Sequence, residues 1–136
     1  MLYVALFVPL GHPALPRSIL HEPRVARYVD GWGAPGDRGL IALVDGIEVG
    51  AAWMRYFTMR EPGYGFVDET TPELSTAVLS VYRGRGIGSQ LIQLLIEGIP
   101  SISLSCDPAN PAWRLYLRLG FEPLPDGRTM LRNAAA

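Results

Sequence analysis

Residues 74–96 constrain the fold of this chain more than any other segment, because they read as a strand, a tight turn and a helix in direct succession. An apolar, β-branched run spans residues 75–81, and an amphipathic run that begins at Ile87 has its apolar residues at helical spacing. Between the two runs lies an arginine–glycine turn, RGRGIG, at residues 83–88. This succession predicts a strand that leads directly into a helix.

The turn has the chemistry of an anion site. Gly84, Gly86 and Gly88 leave the backbone uncovered, so that a ligand can approach it closely. The first N–H groups of the following helix have no partner within the helix, and the helix dipole favours negative charge there. Arg83 and Arg85 add positive charge. The sequence therefore predicts a phosphate or pyrophosphate site at this turn.

Two better-known phosphate-binding loops fit this turn poorly. A Walker loop needs Gly-Lys-[Ser/Thr], and the chain contains no lysine. The dinucleotide-binding fingerprint needs G-x-G-x-x-G, whereas this turn reads G-x-G-x-G after an arginine. A nucleotide-binding domain that uses the same helix N-terminus is therefore a weak alternative.

Length and composition indicate one globular domain that spans residues 1–136. Hydrophobic residues make up 49% of the chain and the formal net charge is −1, so nucleic acid is not an expected partner. No apolar run reaches the ~18 residues of a membrane span. Residues 1–8 are apolar but lack the basic region and cleavage site of a secretion signal. We expect a cytoplasmic protein with no membrane partner.

Cysteine and histidine offer little chemistry. Cys106 is the only cysteine, which excludes an internal disulfide and favours a reducing compartment. We expect it to be a small buried strand residue rather than a nucleophile. The two histidines are His12 and His21, and the spacing of a four-ligand zinc site is absent, so we expect no metal.

The remaining pattern predicts alternating helices and strands, and hence an α/β (α+β) fold with one mixed sheet flanked by helices. Residues 1–8 could form a strand or the end of a helix. The elements predicted beyond them are a loop at 9–17, a helix at 22–32, a hairpin of 40–44 and 47–57 around Asp45-Gly46, a long loop at 58–72 in which Phe66 and Val67 pair briefly, a helix that ends near Glu97, a strand at 101–106, a helix at 110–119, a hairpin of 121–124 and 128–131, and a loose tail at 133–136.

Two motifs in this pattern resemble those of the GNAT superfamily of N-acyltransferases. The spacing R-x-x-G-x-G from Arg83 to Gly88 resembles the acyl-CoA signature of that family. Residues 110–121, NPAWRLYLRLGF, resemble its later motif N-P-A-x-x-L-Y-x-x-x-G-F. The resemblance covers roughly residues 22–131. It implies a GNAT-like mixed central sheet and favours a helix at residues 1–8. The usual first strand would then be missing, either because the start codon is misplaced or because the sheet lost an edge strand.

The resemblance also implies that acetyl-CoA is the acyl donor and which residues hold it. Backbone groups of Ala77, Val78 and Leu79 would bind the pantetheine arm on a strand that diverges from its neighbour, and Asn110 would contact the CoA arm. Tyr116 would donate a proton to the departing thiolate, although its spacing alone would suit an aromatic core residue. The pyrophosphate would be bound at the turn, by Arg83, Gly84, Arg85, Gly86, Ile87, Gly88 and Ser89.

A carboxylate near the strand could take the proton of the attacking amine. Glu73 is our first choice, with Asp68 and Glu69 as alternatives, and each could instead be a solvated surface charge. Ser105 stands roughly where some relatives carry a base, so a water chain could act instead. The three acids suggest a cationic amine. Aromatic walls could come from residues that are individually better explained by packing, namely Tyr28, Trp32, Trp53, Tyr56, Tyr64 and Phe66.

The resemblance thus implies an N-acetyltransferase that moves an acetyl group from acetyl-CoA to a primary amine of a small molecule or peptide, by direct attack in a ternary complex. The alternative is an inactive acyl-CoA-binding sensor or assembly module. A homodimer is possible in either case, since an unpaired sheet edge favours association.

Overall fold

The computed structural model describes residues 1–6 and 13–134. Within them lie four α-helices: α1 (Leu2–Ala5), α2 (Pro23–Ala26), α3 (Ile87–Leu95) and α4 (Ala112–Arg118), with 3-10 turns at Arg17–His21 and Ser80–Tyr82. The helix expected at residues 1–8 is present at its start. It ends earlier than expected, at Ala5, because Leu6 is extended. Residues 7–8, the beginning of the 9–17 loop with His12, and the last two residues of the tail lie outside the described residues.

Six strands form one mixed sheet in the order β1-β2-β3-β4-β6-β5. The strands are β1 (Arg38–Val44), β2 (Ile47–Arg55), β3 (Glu73–Val78), β4 (Ser101–Ser105), β5 (Glu122–Pro123) and β6 (Thr129–Asn133). Neighbouring pairs are antiparallel except β3 and β4, which are parallel. The segment that joins these two carries α3, as a parallel connection requires. The predicted mixed sheet flanked by helices is confirmed.

The Asp45-Gly46 turn sets the register of the first hairpin. Asp45 has φ 51° and Gly46 has φ 77°, the left-handed pair that a two-residue hairpin turn with matching twist requires. The turn aligns Val44 with Ile47 and continues with a bulge between Ala42 and Leu43. Within the described residues no strand lies on the outer side of β1.

The two faces of the sheet are covered by different elements. On the α3 face, Leu74 and Ile102 pack with Leu91, Ile92 and further residues in the main apolar core. On the opposite face, which we call the α2 face, the Trp53 indole N–H donates to the carbonyl of Tyr28, just after α2. Because side chains alternate along a strand, Glu73, Ser75 and Ala77 lie on the α2 face.

The predicted helix at residues 22–32 was too long. The α-helix ends at Ala26, and residues 27–33 form turns with Gly31 and Gly33 at positive φ. The Arg55 guanidinium donates to the carbonyls of Arg27, Asp30 and Gly31, and these hydrogen bonds hold the chain in that turn conformation.

Smaller corrections concern strand ends and the long loop. β2 stops at Arg55, and β3 begins at Glu73 and ends at Val78, where the Ser80–Tyr82 turn starts. Phe66 and Val67 form no strand. The loop is instead hydrogen-bonded to β4 here: the Ser103 hydroxyl donates to the Gly65 carbonyl at 2.7 Å.

Candidate functional site

The centre of the candidate site is a gap between β3 and β4. These strands share one bridge, Glu73 with Ser103, whereas β2 and β3 align six residue pairs. Leu79 N–H donates to Val49 O at 2.8 Å, so the backbone of Leu79 faces β2. In an antiparallel ladder, alternate residues direct their backbone groups to opposite sides. The N–H and C=O groups of Thr76 and Val78 therefore point toward the gap. Of the predicted Ala77, Val78 and Leu79, Val78 therefore presents its backbone to the gap, and the other two face β2.

The glycine turn at residues 83–88 leads from this gap into α3. Gly84 and Gly86 have φ of 77° and 80°, and a Cβ atom on either would meet no other atom within 4 Å, so both are open to a ligand. Gly86 is the N-cap of α3, and the N–H groups of Ile87, Gly88 and Ser89 have no intrahelical acceptor. These N–H groups and open glycines are the features on which the predicted anion site depends, and the site itself stays a prediction.

The two arginines of the turn lie along it. Arg83 Nε donates to the Val78 carbonyl at 3.0 Å, and Arg85 Nη2 donates to the Val81 carbonyl at 3.4 Å. The Arg85 guanidinium also lies 5.1 Å from the centroid of the Tyr82 ring. Both side chains are exposed, so their positive charge is available near the helix N-terminus.

Tyr116 reaches the gap from α4 on the α3 face. Its ring packs edge-on against Phe121, with 5.9 Å between the centroids. Burial raises the pKa of Tyr116 to about 12. Thr76 Oγ1 is itself buried without a hydrogen-bond partner among the described residues. At neutral pH the phenol is a proton donor beside an unsatisfied oxygen.

Glu73 lies on the α2 face at the point where the gap begins. Its side chain is buried, with 3% of the residue exposed. The Tyr28 hydroxyl donates to Oε2, and Gly65 N–H donates to Oε1 at 2.9 Å. Burial raises the pKa of Glu73 to about 7, because lost hydration of the carboxylate outweighs both hydrogen bonds. A carboxyl group with this pKa can accept a proton at neutral pH.

The two alternative bases lie in a different environment. Asp68 is exposed and accepts hydrogen bonds from the N–H and hydroxyl of Thr70, which hold its pKa below its usual value. Glu69, also exposed, accepts from Met59 N–H at 2.9 Å. Both carboxylates stabilise turns of the long loop, whereas Glu73 borders the gap.

Glu73 and Tyr116 therefore border the gap from opposite sides of the sheet. Glu73 shares its face with Ser75, whereas Thr76, beside Tyr116, lies on the α3 face. A group held between β3 and β4 could be reached by a base from one side and by an acid from the other. This arrangement can remove a proton from an attacking group and give one to a leaving group.

Other predicted residues have roles in the fold. Asn110 Oδ1 accepts from Ala112 N–H at 2.9 Å and so stabilises the start of α4. Cys106 is buried, and burial raises the pKa of its thiol to about 11, so it is a poor nucleophile at neutral pH. Trp53 and Tyr28 are buried, while Tyr64, Tyr56 and Trp32 are exposed.

The described residues hold neither a cluster of metal ligands nor a membrane-spanning helix. Residues 1–6 and 13–134 contain no group of three or more histidine, cysteine or acidic residues placed to hold a metal ion. None of the helices in this part of the chain has the length and apolar character needed to cross a membrane.

Sequence reasoning missed two interactions. The sequence suggests Tyr28 as an aromatic wall of the acceptor site. It does not indicate that Tyr28 bonds Glu73, which is 45 positions away. The buried Arg55–Asp37 ion pair, 2.9 Å between Nη2 and Oδ2, had no local signal except an arginine at the end of an apolar strand.

The chain is similar to known acetyltransferases. The family model described as "Acetyltransferase (GNAT) domain" matches residues 35–123, more than half of the chain. No curated protein matches.

Solved structures resemble the chain over most of its length. A GCN5-related N-acetyltransferase from Kribbella flavida is 25% identical, with a TM-score of 0.58, over 75% of this chain and 70% of that one. Ribosomal-protein-alanine N-acetyltransferase from Brucella melitensis is 24% identical, with a TM-score of 0.62, over 90% and 81%. A phosphinothricin acetyltransferase from Sinorhizobium meliloti, solved with acetyl-CoA, is 22% identical, with a TM-score of 0.58, over 74% and 62%.

Proposed function

We propose, since this chain belongs to the GNAT acetyltransferase family, that it is an N-acetyltransferase that moves an acetyl group from acetyl-CoA to a primary amine. The observation that carries the proposal is the gap between β3 and β4, with Glu73 on one face and Tyr116 on the other. The amine would belong to a small molecule or a peptide. We further propose that one domain performs this reaction in the cytoplasm.

The described residues fit an acyl-CoA molecule laid along the gap. Val78 N–H and the Thr76 backbone would bond the pantetheine amides, with Arg83 leaving the Val78 carbonyl when the arm binds. The N-terminus of α3 and the open glycines at 84 and 86 would receive the pyrophosphate. The buried Thr76 hydroxyl has no hydrogen-bond partner among the described residues, so it could bond the ligand. Asn110 keeps its amide nitrogen for the CoA arm.

The reaction needs two proton transfers, and we assign Glu73 to one and Tyr116 to the other. The amine approaches from the α2 face, loses a proton to Glu73 through water, and forms the new C–N bond as the C–S bond of the thioester breaks. Tyr116 gives its proton to the departing sulfur on the α3 face. A phenol with a pKa of about 12 remains protonated until the thiolate develops.

The surface near Glu73 favours a cationic acceptor. Asp68 and Glu69 are charged and exposed on the loop that also carries Tyr64, whose side chain is exposed. Negative charge close to an aromatic surface attracts a protonated amine, and it attracts any second positive charge on the same molecule. We therefore expect amines with a second positive charge to be better acceptors than neutral ones.

The alternative is a module that binds acyl-CoA without chemistry. Buried Glu73, with both carboxylate oxygens bonded, is the observation that favours this reading. Tight acyl-CoA binding with no CoA release across a broad amine panel would support it.

The first test is the thermal midpoint of the purified protein with acetyl-CoA, with free CoA and with ATP. A ligand that binds the folded state alone raises stability, by ~2.7 kcal/mol at a hundred times its Kd. We expect both CoA species to raise the midpoint and ATP not to. No rise with acetyl-CoA would refute the proposed donor site. CoA release with an amine panel then separates the enzyme from the binding module.

A further inference from the structure

The Tyr28 hydroxyl both donates and accepts a hydrogen bond beside the gap. It donates to Glu73 Oε2 and accepts from Tyr64 N–H at 2.7 Å. Its ring is stacked on the Tyr64 ring, 6.4 Å between centroids, and packs edge-on against Phe57 at 5.1 Å. Tyr28 is 8% exposed, so water has little access to this hydroxyl.

The segment that carries Tyr28 is held by β2. Trp53 Nε1 donates to the Tyr28 carbonyl at 3.2 Å. Arg55 bonds the carbonyls on either side of Tyr28, those of Arg27, Asp30 and Gly31, and is itself fixed by Asp37. The position of the Tyr28 ring is thus determined from the backbone side as well as from its hydroxyl.

The loop backbone packs closely against Glu73. A Cβ atom on Gly63 would clash with Glu73 Oε1 and lie 2.9 Å from the Tyr28 hydroxyl. A Cβ atom on Gly65 would lie 2.5 Å from the backbone of Leu104 on β4. The carboxylate is therefore enclosed by Tyr28 on one side and by loop backbone on the other.

We infer that Tyr28 is a positioning residue, which orients the Glu73 carboxylate at the edge of the gap and favours its charged form. The inference rests on the proposed function, because it assumes that Glu73 is the base. Tyr28 does not itself carry the proton away, since burial and the neighbouring carboxylate raise its pKa far above the usual value of a phenol. It supplies the hydrogen bond that an ionised carboxylate needs when little water is present.

Few other charged or titratable groups face Glu73. The neighbouring loop contributes Tyr64, and β2 contributes Arg55, which is paired with Glu73 in register but directs its guanidinium to Asp37. Arg27, after α2, is exposed and donates to the Pro62 carbonyl. The residue opposite on β4 is the neutral Ser103. Removing the Tyr28 hydroxyl should therefore act on Glu73 without compensation from a nearby cation.

The test is the titration of Glu73 itself, followed by NMR in protein labelled with ¹³C at the glutamate carboxyl carbons. The Glu73 signal is identified by its absence in Glu73→Gln. In Tyr28→Phe we expect the midpoint of this signal to rise by about one pH unit or more. The matched control is Tyr64→Phe, which keeps the ring stack and the backbone N–H bonded to Tyr28, and it should titrate as wild type.

A second replacement covers the case in which Tyr28→Phe does not fold. 3-Fluorotyrosine at position 28 keeps the ring and has a more acidic hydroxyl, which is a stronger donor, so the Glu73 midpoint should fall. Opposite shifts in the two proteins support the inference, and an unchanged midpoint in either folded protein overturns it. Acetyl transfer is measured separately, so an inactive wild type would refute the proposed function while the titration still decides the role of Tyr28.

Discussion

At the scale of single residues, Glu73 is a group whose charge is opposed by its surroundings. Its carboxyl has an ordinary pKa of about 4.5, and burial raises this to about 7. The folded protein therefore binds a proton more tightly than the unfolded chain does. This group contributes most to stability below about pH 4.5. This contribution is lost as the pH rises through 7. A catalytic base must be ionised, so Glu73 can act as one only in the pH range where this contribution has been lost.

Glu73→Gln should remove this dependence of stability on pH. The shift corresponds to about 3 kcal/mol of unfolding free energy lost by wild type between about pH 5 and pH 8. Urea unfolding of both proteins at these two pH values should show the variant gaining stability relative to wild type by that amount. Asp68 and Asp126, with lowered pKa values, are common to both proteins and cancel in the difference. Parallel pH profiles for the two proteins would contradict the assignment.

Tyr116→Phe should lower turnover by ~100-fold or more and leave acetyl-CoA affinity close to wild type, because the lost proton is needed only when the thiolate forms. Steady-state CoA release and calorimetric titration measure the two quantities. Tyr56→Phe, on an exposed tyrosine away from the gap, is the control. Equal turnover in Tyr116→Phe would show that the phenol is not the acid.

At the scale of elements, the strand–turn–helix unit could be predicted from the sequence and the opposite face could not. The turn and α3 follow from local rules, glycine at positive φ and apolar residues at helical spacing. The early end of α2 depends on Arg55, which lies 24 to 28 positions beyond the carbonyls it bonds. Likewise the buried state of Glu73 depends on Tyr28 and on the fold of a long loop, neither of which has a periodic signal.

Gly86→Asp should abolish acetyl-CoA binding, because it places a negative charge where the pyrophosphate would lie. Gly86→Asn is the matched control, since asparagine has nearly the same shape and both residues tolerate the left-handed backbone at φ 80°. We expect measurable binding by the asparagine variant and none by the aspartate variant in the same calorimetric titration. Equal affinity in the two variants would place the pyrophosphate elsewhere.

Arg55→Met should destabilise the protein by about 3–5 kcal/mol, because it leaves Asp37 buried without its cation and three carbonyls without a donor. The double variant Arg55→Met/Asp37→Asn removes the unpaired charge and should recover part of the loss. Asparagine can still accept from Gly33 N–H and Ala34 N–H. Urea unfolding measures both variants, and a loss below ~1 kcal/mol would show that the pair contributes as little as an exposed one.

At the scale of the whole molecule, the sheet consists of two parts. β1, β2 and β3 pair along their length, as do β4 and β6, while one bridge joins the parts within the sheet. Tyr116 and Glu73 reach this junction from opposite layers. The outer strand β1 exposes Ile41 and Leu43, and association of two copies through this edge stays a prediction.

The same junction determines how the backbone should exchange its amide protons with deuterated solvent. Thr76 and Val78 face the gap rather than a neighbouring strand, so their amide protons should exchange much faster than those of Ala52 or Leu104. Acetyl-CoA bonded along β3 would slow exchange at these two positions and leave the already protected strands unchanged. The ligand would then bond the backbone of β3 as a neighbouring strand would. The exchange rates of the Thr76 and Val78 amides would therefore report how much of the protein has acetyl-CoA bound.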